Sequence, residues 1–276
     1  MRRAVAAALA APALGAVAWG SVEARRLARE TAELPLVDLP SALDGLTLLH
    51  VSDVHAGYGP GLAMLEESLE WALEVRPDLV VLSGDLVARP RGEARFRRVA
   101  AELGATARFG AFAVLGNHDH GLGNDPFASG RTVGRLEGVE LLGAERRDVE
   151  IHGRRVCFVG VDADAYLHSP RYDIAAPLDR TADLRILICH YPFALQHVQP
   201  HDFQLILSGH LHGGQICLPW PGGRVGLAHP RERVLRGVSS REGTVMHVSR
   251  GLGTTFLPLR ILARPEATLL ILRSPR

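Results

Sequence analysis

Five short segments carry the residues that can do chemistry. In chain order they are Ser52-Asp53-Val54-His55, Ser83-Gly84-Asp85, Gly116-Asn117-His118-Asp119, Cys189-His190-Tyr191-Pro192, and Gly209-His210-Leu211-His212-Gly213-Gly214-Gln215. Carboxylate, imidazole and carboxamide groups together form a donor set suited to manganese, iron and zinc type cations. The spacing Asp53-x-His55 puts both side chains on one side of an extended segment, within reach of one ion, and His210 and His212 share that relation. Glycines beside them let the backbone turn sharply and approach a ligand closely. The segments differ in specificity: Asp-x-His arises by chance, Gly-Asp is common in turns, Gly-Asn-His-Asp is more specific but can begin a helix, and GHLHGGQ, a glycine-rich loop with two histidines, is the most specific of the five. The ordered set of five is far more specific than its parts.

Each segment follows an apolar run of strand character: LTLLHVS, DLVVLSG, FGAFAVLG, LRILICH and FQLILSGH. Helical periodicity lies between the early ones, in LAMLEESLEWALEV and GEARFRRVAAELGA. Further strands are expected in VELLGA, RDVEIHG, RRVCFVGV, TVMHVS and EATLLILR. Strand and helix alternate in the first half and strands dominate the second, which predicts an α/β fold with a largely buried sheet rather than a simple doubly wound one. Polar residues collect just after strand carboxyl ends, where open α/β sheets place their sites.

Composition agrees with a globular protein: 47% hydrophobic and 22% charged residues, with a formal net charge of +1 that argues against a nucleic-acid footprint. Cys157, Cys189 and Cys217 are too few and too far apart for a disulfide framework. The chain opens with Arg2-Arg3 and an uncharged run from Ala4 to Gly20. That is the pattern of an export signal or anchor, though short of the roughly 20 apolar residues that span a bilayer. Ala16-Val17-Ala18 could serve as a cleavage site. The predicted organisation is a signal or anchor over 1–30, a linker over 31–45 and one domain over 46–276. A membrane-associated or exported location follows, on a side of the membrane that the flanking arginines leave open.

The five segments resemble the calcineurin-like, binuclear metallophosphoesterases, whose pattern is D-x-H, G-D, G-N-H-D/E, a lone H, and G-H-x-H. The GHLHGGQ form and the later VSRGLGTTFLPLRILARPE stretch are similar to a bacterial, often membrane-associated branch. That branch includes cell-envelope phosphoesterases and UDP-2,3-diacylglucosamine hydrolases. The resemblance implies a four-layer α/β/β/α sandwich of two mixed sheets. It implies two divalent cations, manganese foremost, with iron, zinc, magnesium, cobalt or nickel compatible with the same donors. Asp53, His55 and His212 would hold the first, Asn117, His190 and His210 the second, and Asp85 would bridge them. His118 would give a proton to the leaving oxygen, with Asp119 orienting it. An imidazole suits that role near neutral pH. The implied reaction is hydrolysis of a phosphodiester or pyrophosphate, with a lipid-linked nucleotide as the expected substrate. The rival expectations are a broad phosphatase or nucleotide phosphodiesterase acting on soluble substrates, and a non-catalytic scaffold, which the intact donor set disfavours.

Residues beyond the motifs carry weaker expectations. Arg250 and Arg260 could contact a substrate phosphate, and Tyr58 and Tyr191 could shape the pocket. Leu257, Leu259 and Trp220 could face an acyl chain. His120, His152, His168, His197, His201, His229 and His247 read mostly as surface or loop residues.

Overall fold

The computed structural model describes residues 14–122, 126, 133–168, 174–221 and 223–275. Two six-stranded mixed sheets form its centre. The first runs in the order β1 (Ala28–Pro35), β14 (Glu266–Arg273), β2 (Thr47–Val51), β3 (Leu79–Ser83), β4 (Gly110–Val114) and β5 (Glu140–Leu141). The second runs β12 (Gly237–Arg241), β13 (Thr244–Val248), β9 (Leu205–Ser208), β8 (Leu184–Cys189), β7 (Arg154–Val161) and β6 (Ala144–Ile151). A separate hairpin joins β10 (Cys217–Trp220) to β11 (Gly223–Gly226).

Side-chain alternation explains the layering. Along β2, Leu48 points into the core between the sheets while Leu49 and Val51 point outward. Both faces are therefore apolar, as expected of strands covered on both sides. On the outer side of the first sheet lie α2 (Gly61–Val75) and α3 (Pro90–Gly104). The face of α2 formed by Met64, Leu65, Ser68, Trp71 and Ala72 is buried at helical spacing. Arg76 ends α2 in a left-handed conformation, with Pro77 behind it. Pro90 starts α3, where its missing N–H is not needed. The outer side of the second sheet is covered more thinly, by α4 (Ala163–His168) and the 3-10 turn Pro192–Gln196. The sandwich is thus α/β/β/α, as the resemblance implies. Between the sheets Phe112 stacks on Phe158 at 4.2 Å, and truncating either to alanine costs about 3–5 kcal/mol.

The N-terminal region departs from the sequence reading. The Arg2-Arg3 start and the apolar run as far as residue 13 lie outside the described residues. Residues 14–23 form a helix, α1. The 31–45 stretch is not a free linker. Ala28–Pro35 is β1, paired in parallel with β14, and Leu34, Leu36, Leu39 and Leu43 plug the core between the sheets. The polar pattern of β1 hides this because its outer face is exposed and its partner lies at the far end of the chain. No described helix is long and apolar enough to cross a membrane.

Candidate metal centre

The parallel strands β2, β3 and β4 of one sheet and β8 and β9 of the other all release their chains at one edge of the sandwich. The five segments begin there. The backbone that carries them is not extended: Asp53, His55, Asp85, His210, His212 and Gln215 all have left-handed φ, between +47° and +73°. Non-glycine residues adopt this region at a cost of about 1–3 kcal/mol each, held by surrounding structure. The Asp53-x-His55 segment is therefore not the extended stretch that its spacing suggests. Local turns, not strand alternation, aim the two side chains together. Close backbone approach also requires glycine at two positions. A Cβ on Gly209 would lie 1.9 Å from Ser52 Oγ and 2.4 Å from Asp53 Oδ2, and one on Gly116 would lie 2.1 Å from Asp85 Oδ1.

The seven predicted ligands converge as two groups around one carboxylate. In the first, donor atoms of Asp53, His55, Asp85 and His212 all lie within 4.8 Å of one another. His55 Nε2 and His212 Nε2 are 3.2 Å apart, and His212 Nε2 is 3.4 Å from Asp53 Oδ1. In the second, the Asn117 carboxamide oxygen is 3.1 Å from both His190 Nε2 and His210 Nδ1. Asp85 Oδ2 is 3.5 Å from His55 Nε2 and 3.4 Å from His190 Nε2, so it faces both groups. All seven are buried or nearly so.

The electrostatics fit a site made for cations. Burial drives His55 down to about 3 and holds His210 and His212 far below the ordinary imidazole value. Burial therefore favours the neutral form of these rings, and His55 Nε2 and His212 Nε2 share one hydrogen bond at 3.2 Å. Burial, with the Asp85 charge beside it, lifts Asp53 to about 6. Burial would also raise Asp85 and lower His190. Their mutual attraction and hydrogen bond outweigh it, depressing Asp85 and lifting His190 to about 9. Buried carboxylates and lone pairs collected this way need positive charge, which divalent cations supply.

His118 sits at the junction. Its amide donates to Asp85 Oδ1 at 2.8 Å, its Nε2 is 4.0 Å from Asp85 Oδ2, and its ring stands edge-on to His55 at 4.7 Å. His118 Nδ1 is buried and has no hydrogen-bond partner among the described residues. Asp119 does not supply one. Its carboxylate accepts from the amides of Leu86, Val87 and Gly116 at 2.8–3.1 Å. Asp119 thus ties the loop after β3 to the loop after β4 instead of orienting the His118 ring directly.

Several other expectations are corrected by burial. Arg260 is fully buried and donates to the carbonyls of His212, Gly251, Gly253 and Ala263, so it binds protein and not substrate. Arg250 pairs with Glu266 and Glu30. Tyr58 donates to the Phe256 carbonyl, and Tyr191 packs its ring 4.6 Å from His210. His247 is no surface residue: it lies between the sheets with its Nδ1 2.8 Å from Nδ1 of His50, whose Nε2 meets Ser83 Oγ at 2.8 Å. His50 escaped the sequence reading because, inside an apolar run, it has no motif around it. His229 reaches the site from outside the motifs, its ring 5.3 Å from that of His210.

Comparison with known proteins gives the family of the chain. Residues 46–214 match the Calcineurin-like phosphoesterase family. The chain is 34% identical over 241 residues to the uncharacterized metallophosphoesterase YkuE of Bacillus subtilis (strain 168), covering 86% of this chain and 82% of that one. It is 24% identical to the UDP-2,3-diacylglucosamine pyrophosphatase LpxG of Chlamydia trachomatis, covering 83% and 84%. Among solved structures, a dimetal phosphatase from Danio rerio aligns with a TM-score of 0.41 at 13% identity, over 76% of this chain and 88% of that one. The chain belongs to the calcineurin-like phosphoesterase family and is a metal-dependent phosphoesterase.

Proposed function

We propose that the chain hydrolyses a phosphodiester or pyrophosphate bond in a lipid-linked substrate of the UDP-2,3-diacylglucosamine type. One observation carries the hydrolytic part: two groups of buried donors share Asp85, with His118 beside it. Asp53, His55 and His212 would hold one divalent cation and Asn117, His190 and His210 the other, with Asp85 placed to face both groups. Manganese suits this mixture of carboxylate, carboxamide and imidazole donors. When bound, such a pair of cations polarises phosphoryl oxygens and lowers the pKa of a coordinated water. The residues supply the rest. His190 Nδ1 donates to the Ser83 carbonyl at 2.8 Å, which leaves its Nε2 for the centre. Tyr191 fixes the His210 ring. Asp119 holds the His118 loop against Asp85, and His118 protonates the leaving oxygen. The lipid-linked substrate is supported by the likeness to LpxG. The charged, then apolar, N-terminal sequence supports a membrane anchor there.

The test is hydrolysis of bis-p-nitrophenyl phosphate by the metal-stripped full chain, with and without added Mn²⁺. Turnover that needs the metal is expected, and His118→Ala should lower it by about 10²–10⁴ with metal content unchanged. Equal turnover in that variant would remove His118 from the chemistry. A preference for UDP-2,3-diacylglucosamine over the soluble diester is expected, and the reverse preference would sink the lipid-linked assignment.

A further inference from the structure

Along one edge beside the metal centre the surface changes character. From Leu14 to Trp19, α1 carries only apolar or glycine residues, all exposed. Leu14 is 68% exposed and Trp19 52%. An exposed helical stretch without a polar residue suits a core or lipid better than water. Its C-terminal end is fastened to the body of the protein. The Gly20 carbonyl accepts from the Arg260 amide at 3.0 Å, and Glu23 accepts from the Ala263 amide at 2.8 Å.

The segment that receives α1 also borders the metal centre. Gln215, three residues after His212, donates its side-chain amide to the carbonyls of Thr255 and Leu257. Phe256 and Leu257 are 51% and 52% exposed. The β10–β11 arm is laced to the same segment, the Cys217 amide donating to the Ile261 carbonyl at 2.9 Å. Alternation puts Leu218 and Trp220 on one face of β10. Both are exposed, Trp220 by 66%. Beyond β11 this arm brings His229 to the His210 ring.

Three pieces of chain therefore raise large apolar side chains around one rim. Basic residues flank them: Arg25, Arg26, Arg224, Arg231, Arg233 and Arg264 are all exposed. Between residues 212 and 241 Glu232 is the only acid. Aromatic rings suit the headgroup level of a bilayer, aliphatic chains the layer beneath, and guanidinium groups the lipid phosphates.

We infer that this edge seats the metal centre on the face of an anionic phospholipid bilayer. In that seat α1 enters the lipid, and Leu218, Trp220, Phe256 and Leu257 lie at its surface. A phosphoester whose lipid part stays in the membrane then reaches the centre without crossing water. The seat stands on the exposed edge alone, while the lipid-linked substrate rests on the function proposed above.

The experiment uses the full chain as Trp19→Phe, so that Trp220 reports against Trp71, which is 8% exposed. The protein is floated with phosphatidylcholine vesicles, with and without phosphatidylglycerol, and with brominated lipids. The expected result is binding strengthened about tenfold or more by phosphatidylglycerol, with Trp220 emission quenched by bromine. Adding Trp220→Ser and Leu257→Ser to the wild-type chain should weaken binding about tenfold or more. Binding without quenching would reduce the contact to a tether and overturn the seat. So would absence of binding, or a dimer whose second copy covers the edge. Turnover of bis-p-nitrophenyl phosphate in the same samples is scored separately: turnover without vesicle binding sinks the seat and leaves the hydrolase, whereas quenching without turnover does the opposite.

Discussion

The two donor groups of the centre are nearly matched in residue type and opposite in support. Behind His190, Nδ1 donates to the Ser83 carbonyl, which holds the ring and raises its basicity. Behind His212, Nδ1 meets Arg260 Nη2 at 3.3 Å. A guanidinium has no acceptor to offer, and its charge makes this ring a poorer donor. The difference teaches that one centre can hold two cations with unequal strength. Tight binding is expected at Asn117, His190 and His210, and weaker binding at Asp53, His55 and His212.

The most severe way to break the comparison is Asp85→Asn, because Asp85 faces both groups. Turnover should fall by on the order of 10³-fold or more, and metal analysis should show both cations lost. Loss of one cation alone would mean that Asp85 serves a single group. Arg260→Met is next. It strands four buried carbonyls, so denaturant unfolding should show a loss of about 3–5 kcal/mol. In the fraction that folds, metal competition should show the weaker cation binding tighter and the stronger one unchanged. A uniform change at both would erase the asymmetry. The smallest effect is on pH. His190 sits at about 9 in the metal-free protein and must lose its Nε2 proton to bind. Uptake at that group should therefore release a proton, and its affinity should rise about tenfold per pH unit up to about 9 and then level off. In the absence of metal the same proton stabilises the fold. That contribution is complete below the ordinary imidazole value of 6.5 and is lost as pH rises through about 9. Calorimetry in buffers of different ionisation enthalpy would detect the proton, and its absence would remove His190 from the ligand set.

The ligand segments were legible in the sequence because each is local: a strand end, a glycine and a donor within a few residues. The layered fold followed from apolar periodicity for the same reason. What escaped was long-range. The polar face of β1 gave no hint that β14 would pair with it. Arg260 looked like a solvated or substrate-binding arginine, because nothing near it in sequence reveals the carbonyls of Gly251 and Gly253 or the turn at His212. Asp119 is adjacent to His118 yet reaches Leu86 and Val87. Nor does the sequence show that Asp53 and His55 turn left-handed, or that Gly209 and Gly251 pack against Asp53 with no room for a Cβ.

The parallel pairing of β1 with β14 has a mechanical side. The eight residue pairs from Ala28–Glu266 to Pro35–Arg273 run in the same direction. A pull on the chain from the α1 end, resisted at the C-terminal end of β14, acts along the strands and not across them. The rungs then share the load together and do not open one at a time. Tension arriving through α1 meets the strongest arrangement that this ladder can offer, and the metal loops beyond it stay out of the line of force.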